Sequence, residues 1–211
     1  MVVGLGDAAG GGNAGATWIF RGAAVMALTR ISGPAFEVVS LVEVKAHVRV
    51  LHSDDDMLLE QLVAAAADHL DGNTGILGMC LASQEWELSY DQFPSGPIKL
   101  PLGPVLAVDG VTYLDEAGSV VTLSPLNYEI DLTNGDGWVA PVDSWPATGS
   151  YLNAVRIAFT AGHATAAEVP AALRVAVMML AGHWYNNREG QGELPGSVGA
   201  LVMPYKRVWL A

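Results

Sequence analysis

Residues 171–182 are apolar around the whole circumference of a predicted helix. Arg174 is their only charged residue, and Pro170 suits the first position of a helix. The apolar positions lie on two sides: Leu173, Ala176, Val177, Leu180, Ala181 and Trp184 on one, Val175, Met178 and Met179 on the other. A helix that is apolar all round is buried all round. Because two further helices are too little to wrap it, we expect the next subunit to supply part of the cover.

These two further helices precede it in the chain. Ser40 followed by Glu43 is a capping box, which predicts a helix from residue 40 to about residue 50. Its apolar face is formed by Leu41, Val44, Val48 and, less regularly, Leu51. A second helix begins with Ser53 or Asp54 as its N-cap, and the turn at residues 72–75 ends it after about residue 70.

Between the second helix and the long helix, the apolar period changes from helical spacing to two. Alternation at residues 86–90, 111–113, 128–132 and 155–159, separated by Gly- and Pro-rich turns, predicts short antiparallel strands. The expected fold class is α+β: a small helical bundle, with two N-terminal helices and one long C-terminal helix, carrying an inserted antiparallel β-sandwich or barrel.

The chain is therefore divided into five parts. These are an N-terminal extension (1–38), the first part of a helical domain (39–82), the β insertion (83–164), the long helix of the helical domain (165–190) and a partner-docking tail (191–211). Residues 1–25 are Gly-rich and then apolar, and Met26 is an alternative start that would leave them outside the core. The apolar stretch lacks the preceding positive charge of a secretory signal. No uninterrupted apolar run is long enough for a membrane helix.

The charge distribution argues against a nucleic-acid-binding surface. The net charge is −12, and between Arg49 and Arg156 only Lys99 opposes sixteen acidic residues. Binding to phosphates needs clustered Lys and Arg, so this region would repel DNA. Hydrophobic residues make up 51% of the chain and charged residues only 15%, a composition that favours burial against neighbouring subunits.

Possible catalytic and metal sites have simpler explanations. His47, His52 and the acids at 54–56 are clustered, but acids at a helix start need only the helix dipole to explain them. Cys80 lies in an apolar stretch and has no partnering base nearby in the sequence. Trp86, Trp138 and Trp145 offer a platform for sugar rings, or core and loop anchors. We predict no catalytic, cofactor or metal site.

The C-terminal part concentrates aromatic and basic residues, which are the types that most often carry interface energy. Such a terminus docks on its own core or on a partner. The predicted partner-binding residues, for a neighbouring subunit or another protein, are Trp184, Tyr185, Arg188, Leu194, Val202, Tyr205, Lys206, Arg207, Val208, Trp209 and Leu210.

Four segments resemble the head–tail connector (adaptor) proteins of long-tailed phages, prophages and gene transfer agents. They are residues 39–50 with the acids at 54–56; residues 86–88 followed by 93–98 and 100–101; Ala161-Gly162; and residues 183–185 through 188–189. The order and spacing of these segments, spanning about residues 28–209, carry the resemblance, whereas the Gly-rich N-terminal extension departs from it.

The resemblance implies a virion structural protein assembled in the host cytoplasm. Such proteins form a ring, commonly of twelve subunits, between the portal and a stopper or tail-completion protein, with DNA passing through the lumen and no catalytic site. Together with the charge pattern, this predicts lumen-facing acids, with Asp54, Asp55, Asp56, Asp115, Glu116 and Asp136 as candidates. The alternatives are a carbohydrate-binding β module and a small metal-dependent hydrolase with His47, His52 and Asp54 as ligands.

Overall fold

The computed structural model describes residues 26–187 and 194–207 as an α+β fold with antiparallel sheets, as predicted. The helices are α1 (Leu41–Val48), α2 (Asp56–Leu70), α3 (Ala171–Asn186) and α4 (Gly196–Val202). The strands are β1 (Met26–Arg30), β2 (Gln84–Tyr90), β3 (Ile98–Leu100), β4 (Val105–Leu114), β5 (Val120–Thr122), β6 (Tyr128–Asp131), β7 (Gly137–Pro141) and β8 (Val155–Ala161). In this part of the chain, no helix is long and apolar enough to cross a membrane.

Helix α3 is the centre of the helical part, and the other three helices pack on it. Its residues Leu173 and Leu180 are fully buried, and so is Val198 of α4. One side of α3 is thus covered within the chain, and the expectation that a neighbouring subunit covers part of the helix stays a prediction for the other side. Helix α4, which the sequence did not predict, supplies part of the cover of α3. Val175, 37% exposed, is on the side left open.

The capping box predicted for α1 is present. The Ser40 hydroxyl accepts from the Glu43 backbone N–H, and the Glu43 carboxylate accepts from the Ser40 backbone N–H. The same carboxylate binds the Arg174 guanidinium of α3. One acidic side chain thus fixes the start of α1 and ties it to α3 across 131 residues of sequence.

Replacing Glu43 by glutamine is expected to lower the free energy of unfolding by about 1 kcal/mol at neutral pH. The hydrogen bonds from Ser40, and next the Arg174 charge, lower the pKa of the Glu43 carboxyl. Since the folded-state pKa is below the unfolded one, this stabilisation is present above the unfolded pKa and is lost as the pH falls through the folded pKa. Urea unfolding of both proteins from neutral to acidic pH measures it. A difference in unfolding free energy between the two proteins that grew as the pH fell would contradict the prediction.

The strands form two antiparallel sheets, ordered β1-β2-β8-β4-β5 and β3-β7-β6. The pairing of β2 with β8 sets Trp86 opposite Phe159 and Leu88 opposite Ile157. Apolar side chains of both sheets, such as Phe159 and Val139, belong to one buried cluster, separate from the helical one. Neither sheet closes into a barrel within the described residues.

Strand β1 lies within the segment that the sequence analysis assigned to an N-terminal extension. It pairs with β2 from Met26 to Arg30, and its Leu28 is buried in the core of the sheets. Residues 31–35 continue along β2, where the N–H groups of Ile31 and Ala35 donate to Glu85 and Ser83. The fold therefore begins no later than residue 26.

Candidate subunit and partner surfaces

The aromatic C-terminal end of α3 contacts α2 and the residue that caps it. The Tyr185 hydroxyl donates to the Asp55 carboxylate at 2.6 Å, and the Trp184 ring meets the edge of His69 with the ring centres 5.9 Å apart. The indole N–H of Trp184 is buried without a hydrogen-bond partner. The predicted partner residue Arg188 lies outside the described residues. Trp184 and Tyr185 thus stabilise the monomer, whether or not their open edges also contact another protein.

The described part of the predicted docking tail, residues 194–207, packs on its own chain. Val202 is buried, and Leu194 and Tyr205 are half-buried against the helical cluster. Met203 and Lys206 are the most open large side chains of this segment. The tail candidates Val208, Trp209 and Leu210 lie outside the described residues.

Arg207 joins the helical part to the β insertion. Its backbone N–H donates to the Leu77 carbonyl at 2.8 Å, and its guanidinium donates to Asp136 Oδ1 at 2.8 Å and to the Gly135 carbonyl at 3.4 Å. Lys99 Nζ lies 3.6 Å from the other Asp136 oxygen. Asp136, a predicted lumen residue, and Arg207, a predicted partner residue, therefore form an ion pair within one chain.

The six acidic candidates are at three turns. Asp54, Asp55 and Asp56 precede or begin α2, Asp115 and Glu116 lie between β4 and β5, and Asp136 precedes β7. Asp56 pairs with Lys45, and Asp115 accepts from the N–H groups of its own turn. The carboxylates of Asp54 and Glu116 are the most open to solvent.

The geometry of the tryptophans does not form a sugar platform. Trp145 stacks on Phe93 with ring centres 4.6 Å apart and donates its indole N–H to the Gly96 carbonyl. Trp138 is 38% exposed on the outer face of the small sheet, with Lys99 Nζ 5.5 Å from its ring centre. Because Trp145 is occupied by internal packing, the two rings do not offer an open pair.

The two histidines of the histidine–acid cluster have different neighbours. His52 lies 3.9 Å from both Asp54 and Asp55, whereas His47 faces Gly182 of α3. Across residues 26–187 and 194–207, no three His, Cys, Asp or Glu side chains are placed to hold a metal ion. Burial raises the pKa of the Cys80 thiol far above its usual range, which keeps the thiol protonated and unreactive.

Exposed apolar side chains occur in two regions that the sequence analysis did not single out. At the corner between α1 and α2 they are Leu51 and Met57, with Val42 on the first turn of α1; on the β insertion the most open are Val120, Leu126 and Leu152. Leu51 was expected on the buried face of α1 and is instead 97% exposed. Apolar groups left open in a single copy are typical of surfaces that another subunit covers.

Solved structures of gene transfer agent particles contain chains of this fold. A chain in the neck of an empty particle, computed with C6 symmetry, matches with a TM-score of 0.71 and 22% identity, covering 87% of this chain and 97% of that one. A chain in the virion of a native particle gives the same values. In the neck of a native particle computed with C12 symmetry, the TM-score is 0.65 and the identity 20%, over the same shares. No protein-family model and no curated protein sequence matches.

These matches confirm, for the fold, the resemblance to head–tail connector proteins that the sequence motifs carried. The match runs over nearly the whole neighbouring chain, so the helical part and the β insertion are matched together. The described residues hold no cluster that would support the metal-hydrolase alternative.

Proposed function

We propose that this protein is a structural head–tail adaptor: copies of it form a ring, of twelve subunits, between the portal and a stopper or tail-completion protein. The observation that carries the proposal is the fold shared with neck chains of gene transfer agent particles over 97% of their length. The symmetry of those necks, C6 or C12, supports a ring. The protein acts in the particle, and assembly in the host cytoplasm precedes this.

The exposed surfaces support a subunit of a larger assembly. In a ring, each copy presents one surface to the copy on its left and a different surface to the copy on its right. Many of the open apolar residues belong to two distinct parts of the chain, exemplified by Leu51 at the α1–α2 corner and Leu126 in the β insertion. We assign these two regions to subunit contacts, and the C-terminal segment with Lys206 to the portal.

The acidic surplus fits a channel through which DNA slides. A lining that repels phosphate avoids the tight binding that clustered cations would cause. Asp54 and Glu116 are the strongest lumen candidates, because their carboxylates are open, whereas Asp136 is neutralised by two cations. An assembled ring with these two carboxylates on its outer wall and cations around the hole would overturn this assignment.

Removing the gene from a strain that makes the particle tests the proposed function. An adaptor fills the position between head and tail, so we expect DNA-filled heads and free tails to accumulate, and tailed particles to fall at least a hundredfold in electron micrographs. A plasmid copy of the gene restores tailed particles. Normal numbers of tailed particles without the protein would exclude the adaptor role.

A further inference from the structure

An open groove of about 560 Å³ lies between the connection from β1 to α1 and one face of α2. Its apolar floor includes Phe36, Val63 and Ala67. The volume is in the range of pockets that hold a small ligand or a few side chains. None of the interactions assigned above to portal, stopper or neighbouring subunits uses this groove.

The groove has a one-sided charge. Four of its lining residues are acidic (Glu37, Glu60, Asp68 and Asp71), and no basic residue is among the described residues that line it. Glu37, Glu60 and Asp68 are exposed along the rim. Among the described residues, Arg30 is the cation that pairs with this rim, with its guanidinium 4.0 Å from Asp68. An occupant of matching chemistry is therefore apolar and carries positive charge at its edge.

The first 25 residues contain one segment with this chemistry. Trp18, Ile19 and Phe20 are three consecutive large apolar residues, and Arg21, which follows them, is the only basic residue among residues 1–25. We propose that the segment 18–21 of the same chain binds in the groove, with its apolar side chains on the floor and Arg21 against the acidic rim. This segment thereby covers apolar surface that residues 26–187 and 194–207 leave open.

The length of the chain permits this contact within one molecule. Strand β1 leads from Met26 towards the groove, because Arg30 at its end reaches the rim residue Asp68. From Met26 to Arg30 the strand covers about 13 Å. The five residues from Arg21 to Met26 span up to about 17 Å when extended. A chain that doubles back after Arg21 therefore reaches the rim.

Two other occupants are less well matched. The described end of the C-terminal segment is held elsewhere, since Arg207 donates to the Leu77 carbonyl and to the Asp136 carboxylate. A second copy would offer the same segment 18–21, but a tethered segment is favoured by its high effective concentration. Both occupants are separate outcomes of the experiment below.

Disulfide trapping tests the proposal on the full chain. Ala64 is an exposed lining residue, and Cys80, the only native cysteine, is buried. In the double variant Phe20→Cys with Ala64→Cys, mild oxidation is expected to give a crosslink within one chain, seen by mass spectrometry of the digest. Ala9→Cys with Ala64→Cys is the control, and it is expected to crosslink at least tenfold more slowly. Circular dichroism checks that both variants are folded.

The charge contact is tested in the same crosslinking assay. Arg21→Glu is expected to slow crosslinking about two- to fivefold, as for an exposed ion pair, and Glu60→Arg in that background to restore it. Asp7→Lys, at the other charged position of residues 1–25, is expected to leave the rate unchanged. No faster crosslinking than the control, or crosslinks mainly between chains, would overturn the proposal. So would protection of the groove by residues 208–211, or a rate insensitive to Arg21→Glu. None of these results depends on whether the protein binds a portal.

Discussion

Replacing Leu180 by alanine is expected to lower the free energy of unfolding by about 3 kcal/mol. Leu180 is fully buried at the centre of α3, among side chains of the helical cluster. Its truncation removes apolar contacts and leaves a cavity. Because α1, α2 and α4 hold α3 in place, the surrounding side chains fill this cavity only partly. Urea unfolding of the monomer, followed by circular dichroism, measures the loss.

Val175→Ala is the matched control for Leu180→Ala because it is on the open side of the same helix. With 37% of its surface exposed, Val175 is expected to lose about 1 kcal/mol or less. Equal losses at the two positions in a dilute monomer would mean that α3 is wrapped differently from the structure. A Val175→Ala loss that appears only in an assembled ring would instead identify this side as a subunit contact.

The second large effect is expected at Asp71, where α2 ends and the chain turns towards the β insertion. Its buried carboxylate accepts hydrogen bonds from the Leu81 backbone N–H and, at 2.7 Å, from the Gln84 side-chain amide. Asp71→Ala leaves both donors without this acceptor in the interior, at a cost of about 3 kcal/mol. Thermal and urea unfolding measure this cost.

Asp71→Asn separates the charge from the hydrogen bonds. The Gln84 Oε1 atom is buried without a partner, so a flip of this amide lets it accept from the new side-chain N–H, and we expect a smaller loss than in Asp71→Ala. Burial raises the pKa of the Asp71 carboxyl. Its contribution to stability is therefore fully present below the unfolded-state pKa and is lost as the pH rises through the folded-state pKa. The natural protein should exceed Asp71→Asn in free energy of unfolding by less at neutral pH than at acidic pH. A difference that grows towards neutral pH would contradict a raised pKa of the buried Asp71 carboxyl.

Much of the fold follows from local pattern. The helical spacing gave α1, α2 and α3, and the two-residue alternation gave the longer strands, because these signals arise from one buried face per element. Helix α4 was not predicted because two glycines among its seven residues weaken its helical propensity. The exposure of Leu51 was also missed. Arg49 adopts a left-handed backbone conformation, with φ of 59°, which ends α1 before Leu51, so helical spacing no longer decides where this side chain lies.

The hydrogen bonds between polar residues far apart in the chain could not be predicted from the sequence. Asp136 and Arg207 are 71 positions apart, and Tyr185 and Asp55 are 130 positions apart. Nothing in their local surroundings marks them as partners, so Arg207 and Tyr185 were assigned to an interface on residue type alone. Their hydrogen bonds within the chain show that aromatic and basic residues near a terminus also stabilise a monomer, which narrows the candidate portal contact in residues 194–207 to open side chains such as Lys206.

The adaptor role is tested most directly by weighing the portal ring of the particle before and after addition of this protein, by mass photometry. We predict a gain close to twelve copies of the 22.1 kDa chain, reached cooperatively, with few partly filled rings. An unchanged portal mass at saturating protein concentration would contradict the adaptor role, and a gain of one or two copies would contradict the ring.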